Sequence, residues 1–254
     1  MRKTLIGAVA ALTALALAAV AIAQNPAPVV DVTAKVSPAK AGTKKKPKSE
    51  TVDLVIQNSE ESKSSASKIE IQFPKTLRLA TKGLRTCSVA TLDGQGKAAC
   101  PAKSRAGRGS AKANLNPYAT TPAPLFFSVT AFVAGKNKLA FFLEQTDSEN
   151  GNVLDDGVQQ ALPATIAKRG SGQKLTINIP ENLQQPAPNT YSALLEIKND
   201  LGLKSGKNAL LKSVGCPRSR EHKIGVKITY VPNPTPPARS SVTSTDGAAC
   251  SGKP

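Results

Sequence analysis

The chain is 254 residues long and sets 34 Lys and Arg against 17 Asp and Glu, a formal charge of +17. It holds four Cys, one His, one Met and no Trp, and aromatics make up 4%. One His cannot complete a zinc set with Cys at these spacings, so few aromatics cannot supply the stacking of a nucleic-acid reader, and the core must come mostly from Val, Ile, Leu and Ala.

Residues 1–23 form the first unit. Met1-Arg2-Lys3 is a basic head, residues 5–23 are an apolar run, and Ala21-Ile22-Ala23 supplies an A-x-A exit before Gln24. This order predicts a secretory signal peptide cleaved after Ala23. An uncleaved anchor fits less well, because the run is rich in Ala and ends in small residues. Cleavage would leave 254 − 23 = 231 residues and a charge of 32 − 17 = +15. The expected location is extracellular or in the cell envelope, where disulfides persist. Residues 24–254 are expected to form one domain, since no stretch reads as a linker.

From Val30 onward the dominant period is two, the mark of half-buried strands. Val30, Val32, Ala34 and Val36 alternate with polar residues. A basic loop at 39–49 follows, with Lys44, Lys45, Lys46 and Lys48 around Pro47. Alternation resumes at Val52, Leu54 and Ile56, then at Ile69, Ile71 and Phe73. Residues 125–133 and 139–143 are more continuously apolar and predict central strands. Leu175, Ile177 and Ile179 alternate, as do Ile224, Val226, Ile228 and Tyr230. A weaker strand is expected at 239–244. The best short helix candidates are residues 88–92 and a turn near Asn182-Leu183-Gln184. Many short strands separated by Pro-rich punctuation predict an all-β fold: an antiparallel β-sandwich, Ig-like or jelly-roll-like, with at most short helices.

Cys87, Cys100, Cys216 and Cys250 allow three pairings. The midpoint of Cys216 and Cys250 is (216 + 250)/2 = 233, inside the Pro-rich segment between the last two strands. An antiparallel hairpin there brings both Cys to its open end. The midpoint of Cys87 and Cys100 is (87 + 100)/2 = 93.5, at the turn dipeptide Asp93-Gly94; a short helix plus loop would also close this pair. The sequence therefore predicts Cys87–Cys100 and Cys216–Cys250.

Gly83-Leu84-Arg85-Thr86-Cys87-Ser88, then Ala99-Cys100-Pro101, Ser104-Arg105, Gly107 and Gly109, resemble a pattern in secreted, β-rich actinobacterial proteins: a Cys, twelve residues, then C-P-x-x-S-[RK]-x-G. The resemblance covers roughly residues 77–111. It implies secretion, β structure and the first disulfide, and it implies no catalytic residues.

No enzyme signature is complete. His222 stands between Glu221 and Lys223 and reads as a solvated imidazole at a strand edge, with no G-x-S-x-G partner. Ser65-Ala66-Ser67-Lys68 matches S-x-x-K without its companion motifs. Asp147, Glu149, Asn150, Asn152, Asp155 and Asp156 cluster, but Gly151 breaks EF-hand spacing and the cluster reads as a solvated turn. Neither a metal nor a cofactor is expected. Lys44, Lys45, Lys46, Lys48, Arg105 and Arg108 are the candidate contacts for anionic envelope polymers or a membrane surface. The expectation is a non-enzymatic secreted protein with a structural or binding role; the alternative is an extracellular hydrolase with paired carboxylates.

Overall fold

The computed structural model describes residues 28–59, 63–231 and 240–253. The expected leader at 1–23 and the Pro-rich segment at 232–238 lie outside the described residues. In chain order the strands are β1 (Val30–Ser37), β2 (Lys48–Ser49), β3 (Thr51–Asn58), β4 (Ala66–Phe73), β5 (Leu77–Leu79), β6 (Arg105–Leu115), β7 (Ala123–Gly135) and β8 (Lys138–Thr146). They continue as β9 (Gln159–Arg169), β10 (Gly172–Asn178), β11 (Ser192–Leu201), β12 (Lys204–Ser205), β13 (Asn208–Ala209), β14 (Leu211–Ser213), β15 (Glu221–Tyr230) and β16 (Ser241–Ala249). Two α-helices interrupt them, α1 (Val89–Gln95) and α2 (Glu181–Gln184).

Eleven strands share one sheet in the order β1-β3-β11-β6-β7-β8-β9-β10-β4-β15-β16, every neighbouring pair antiparallel. The all-β antiparallel expectation holds. The layers expected of a sandwich are parts of one curved sheet that nearly closes on itself. An odd number of alternating strands leaves β1 and β16 running in the same direction, so the two edges cannot meet as an antiparallel pair. They meet instead through a side chain: Ala34 N donates to Asp246 Oδ2 at 2.7 Å. Beyond them, Lys40 and Ser251 form a parallel bridge, with Ala41 N to Ser251 O and Ser251 N to Ala39 O both at 2.8 Å.

The alternation read in the sequence sorts inside from outside. Val30, Val32, Ala34 and Val36 are buried in the common core, whereas Asp31, Lys35 and Asp53 face solvent. An apolar interior with a charged exterior is the reverse of a transmembrane barrel, which turns its apolar face to lipid. One end of the barrel is plugged by the small sheet β2-β14-β5, whose Leu77, Leu79 and Leu211 are buried with Leu210 in the main core. The other end lies beneath α2, between the end of β10 and the start of β11.

Both disulfides form as expected, Cys87–Cys100 and Cys216–Cys250. The first closes a lid on the outside of the sheet. Ser88 caps α1 by accepting from Thr91 N at 3.0 Å, and Leu92 packs with Phe132, Phe142, Ala140 and Ala161. Asp93-Gly94 therefore lies in the helix rather than forming a tight turn, and α1 ends at Gly96, where φ is 71°. This lid explains why β7 and β8 read as continuously apolar: both of their faces are covered.

Candidate binding cavity

The barrel holds a cavity of about 150 Å³ in the half beneath α2, partly open to solvent at Asn182 and Pro186. Its wall is almost wholly aliphatic; only Asn182, Ser192 and Asn199 among the lining residues are polar. The space has a source in the sequence. Where neighbouring strands place Leu125, Phe127 or Ile197 on the inner wall, β6 places Ala111 and Ala113. Two methyl groups do not fill what those neighbours enclose, and protein interiors otherwise pack to crystal density. An aliphatic wall of this kind offers few partners to water and favours an apolar occupant.

The three polar residues differ in state. Ser192 Oγ donates to Leu183 O, and Asn182 Nδ2 donates to Gln160 Oε1 at 3.0 Å. Asn199 is 8% exposed, and neither its amide oxygen nor its amide nitrogen has a hydrogen-bond partner among the described residues. It sits on β11, opposite Leu54 of β3 and Gly109 of β6. A buried amide left unpaired costs on the order of 1–3 kcal/mol.

His222 departs from the expectation. It is 1% exposed, and Nδ1 lies 2.9 Å from Thr76 Oγ1 at the plugged end. The reason is parity: His222 shares an inward register with Ile224 and Val226, while Glu221 and Lys223 point outward. Burial lowers its pKa below the usual value of 6.5. Protonation is thus disfavoured in the fold, and His222 contributes stability above pH 6.5 that is lost as pH falls. Glu50 is also buried near that end, 2% exposed, and accepts from Ser213 Oγ. Burial raises its pKa, against the opposing pull of the Ser213 hydrogen bond and the Lys48 charge.

The paired-carboxylate alternative can be tested at a surface cleft lined by Asp31, Glu149 and Glu196. The two glutamates are both held by Lys198, at 3.0 and 2.7 Å. Burial alone would raise the Glu196 pKa, but hydrogen bonds from Lys198 and Gln57 outweigh it and hold the group below the ordinary carboxylate value. A general acid needs the opposite shift. Ser65 is buried, and its hydroxyl donates to Gln184 O at 3.2 Å rather than to a base. Asp147 Oδ1 accepts from Ser148 Oγ and Asn152 N, which makes its loop a closed turn. No group of three or more His, Cys, Asp or Glu among the described residues is placed to hold a metal.

The basic residues fall on two segments of the chain. Lys44, Lys45 and Lys46 are exposed in a tight turn closed by Thr43 N to Lys46 O and Lys46 N to Thr43 O. Lys48 follows on β2, its Nζ 3.3 Å from Lys40 O. Arg105 and Arg108 are exposed on β6, which β11 separates from β3. The Pro101-x-x-Ser104 turn has a structural role: Ser104 is buried and donates to Pro101 O at 2.6 Å. Comparison with known proteins gives no family model that matches the chain and no curated protein that matches it.

Proposed function

We propose that this is a non-enzymatic extracellular binding protein that carries a small apolar molecule inside its barrel. The observation that carries the reading is the aliphatic cavity created where β6 supplies only Ala111 and Ala113 to the inner wall. The two disulfides support an oxidising, extracellular compartment. Ligand sites in β-barrels are concave, mostly apolar and pre-formed, with a few placed polar groups. The test is uptake of ¹³C-labelled octane by the purified, disulfide-intact protein, followed by NMR. Wild type should bind it, and filling the space with Ala111→Leu and Ala113→Leu together should weaken binding at least about tenfold while the circular dichroism spectrum is kept. Undiminished binding by the filled variant would sink the proposal.

A second reading rests on the Lys44–Lys46 turn, whose three ammonium groups make no ion pair among the described residues. It presents charge to anionic envelope polymers or to a membrane surface. Such attraction lacks a shaped site, so it should ignore polymer linkage and collapse with salt, as the Debye length falls from about 10 Å at 0.1 M to about 3 Å at 1 M. Replacing Lys44, Lys45, Lys46 and Lys48 with Ser should lower polyphosphate retention on a column and leave the melting temperature unchanged. Salt-independent retention would reject this reading.

A further inference from the structure

Resting on the cavity reading, we infer that the barrel's ligand is an aliphatic chain with a neutral hydrogen-bonding head, and that Asn199 is the residue that receives the head. The cavity wall runs along the strands. Leu125, Phe127 and Val129 line successive inward positions of β7, four residue steps or about 14 Å at about 3.4 Å per residue. Apolar side chains line that whole run, so a methylene chain laid along it meets apolar surface throughout.

The polarity of the ligand follows from what lines the wall. No Asp, Glu, Lys, Arg or His lines the cavity. A carboxylate or ammonium taken inside would be a buried, unpaired charge, at a cost of several kcal/mol. The head must therefore be neutral. A purely apolar ligand would leave Asn199 as it is, with Oδ1 and Nδ2 both unpartnered. Ser192 and Asn182 are already bonded within the protein, so neither calls for a ligand group. Asn199 offers a donor and an acceptor side by side. Its complement is a group with the same pair reversed, such as a primary amide or a hydroxyl.

The position sets the orientation. Asn199 stands opposite Leu54, in the middle of β3, whereas α2 covers the end where β11 begins at Ser192. The far end is closed by Leu77, Leu79, Leu210 and Leu211. A ligand on Asn199 therefore lies head inward, with its tail directed toward α2. This differs from a carrier that leaves the polar head in water at the mouth.

The test compares octanamide with octane on wild type and on Asn199→Leu, each by NMR of the labelled ligand. The ratio of octanamide to octane affinity should fall about tenfold in the variant, as expected for a neutral hydrogen-bonding group whose partner is removed. The variant should fold, since it replaces an unpaired buried amide by an alkyl group of similar size, and its ligand-free melting temperature should equal or exceed that of wild type. A second measurement needs no variant. The amide protons of bound ¹⁵N-octanamide in wild type should show Overhauser contacts to the Asn199 side chain and slowed exchange with water. If octane and octanamide both bind but the ratio is unchanged, or the ligand amide contacts only water at the mouth, the role of Asn199 is overturned and the apolar-carrier reading stands. If neither binds wild type, both are overturned.

Discussion

Replacing Cys216 and Cys250 together with Ser should lower the stability of the barrel by about 4 kcal/mol. The disulfide closes a separation of 34 residues, for which the chain-entropy relation gives a cost of that size when the link is lost from the unfolded state. Its location makes the loss global. Cys216 is fully buried, and Cys250 follows the last residue of β16. Ser251, the next residue, carries the backbone bonds to Ala39 and Ala41 that continue the junction of β1 with β16. Cutting the link therefore frees the end of the strand on which closure depends. The Cys87–Cys100 link provides the contrast. It closes 13 residues, about 3 kcal/mol by the same relation, and fastens a lid on the outer face of β7 and β8. Its removal should loosen α1 before the barrel. Urea unfolding followed by circular dichroism, with hydrogen exchange to locate the change, checks both. A Cys216→Ser, Cys250→Ser chain that unfolds at the wild-type urea midpoint would contradict the argument.

Gly109→Ala is the second change with a large expected effect. A Cβ built at Gly109 would stand 1.8 Å from the carbonyl oxygen of Lys198 and 2.7 Å from the Cα of Asn199. Both are backbone atoms of β11, so no side chain can swing aside. The β6–β11 pairing would have to open, and through it the ring of strands. Losses above about 4 kcal/mol are exceptional for one substitution, and an enforced backbone displacement in a central pair belongs among them. Gly94→Ala is the internal control. Gly94 lies in α1 with nothing within 4 Å of its would-be Cβ. The same chemical change there should stabilise by about 0.5–1 kcal/mol, because Ala restricts the unfolded chain and favours helix. Equal responses at the two positions, read as shifts in urea midpoint, would refute the steric account.

These two glycines also mark where the sequence was readable and where it was not. β1, β3, β4, β10 and β15 announce themselves by strict alternation of large apolar and polar residues. β6 does not, because Gly107, Gly109, Ala111 and Ala113 have low β-propensity and small side chains, so the period of two carries little contrast. β9 contains Pro163, which reads as a break. It is tolerated because it pairs with Ala140 on β8 just before pairing with β10 begins at Ala164. In β11 a register shift between Leu194 and Glu196 interrupts the alternation. The strands that the alternation does not mark thus include the one whose small residues make the cavity. The Asn199 environment was invisible for a related reason: Lys198-Asn199-Asp200 has the composition of a solvated turn, and only strand register turns its middle residue inward. His222 was recoverable. Its parity with Ile224 already placed it on the core side, and the charged neighbours that suggested solvent lie on the opposite face.

The mismatch of direction between β1 and β16 bears on how the molecule is made. Domains emerge from synthesis amino end first. β1 pairs with β3 early, since only the segment 38–50 separates them. Its other edge must wait for Asp246, 212 residues later in sequence. Until then the growing chain carries an open sheet with an exposed edge and an uncovered apolar interior, the condition that invites strand addition from another molecule. β16 is therefore the latch of the sheet, and a chain that stops short of it lacks the Ala34–Asp246 contact as well as the Cys216–Cys250 disulfide. A copy without β16 would be self-identifying: sticky at the open edge and exposed to proteolysis. Synthesis of β16 and closure of the sheet are thus the same event.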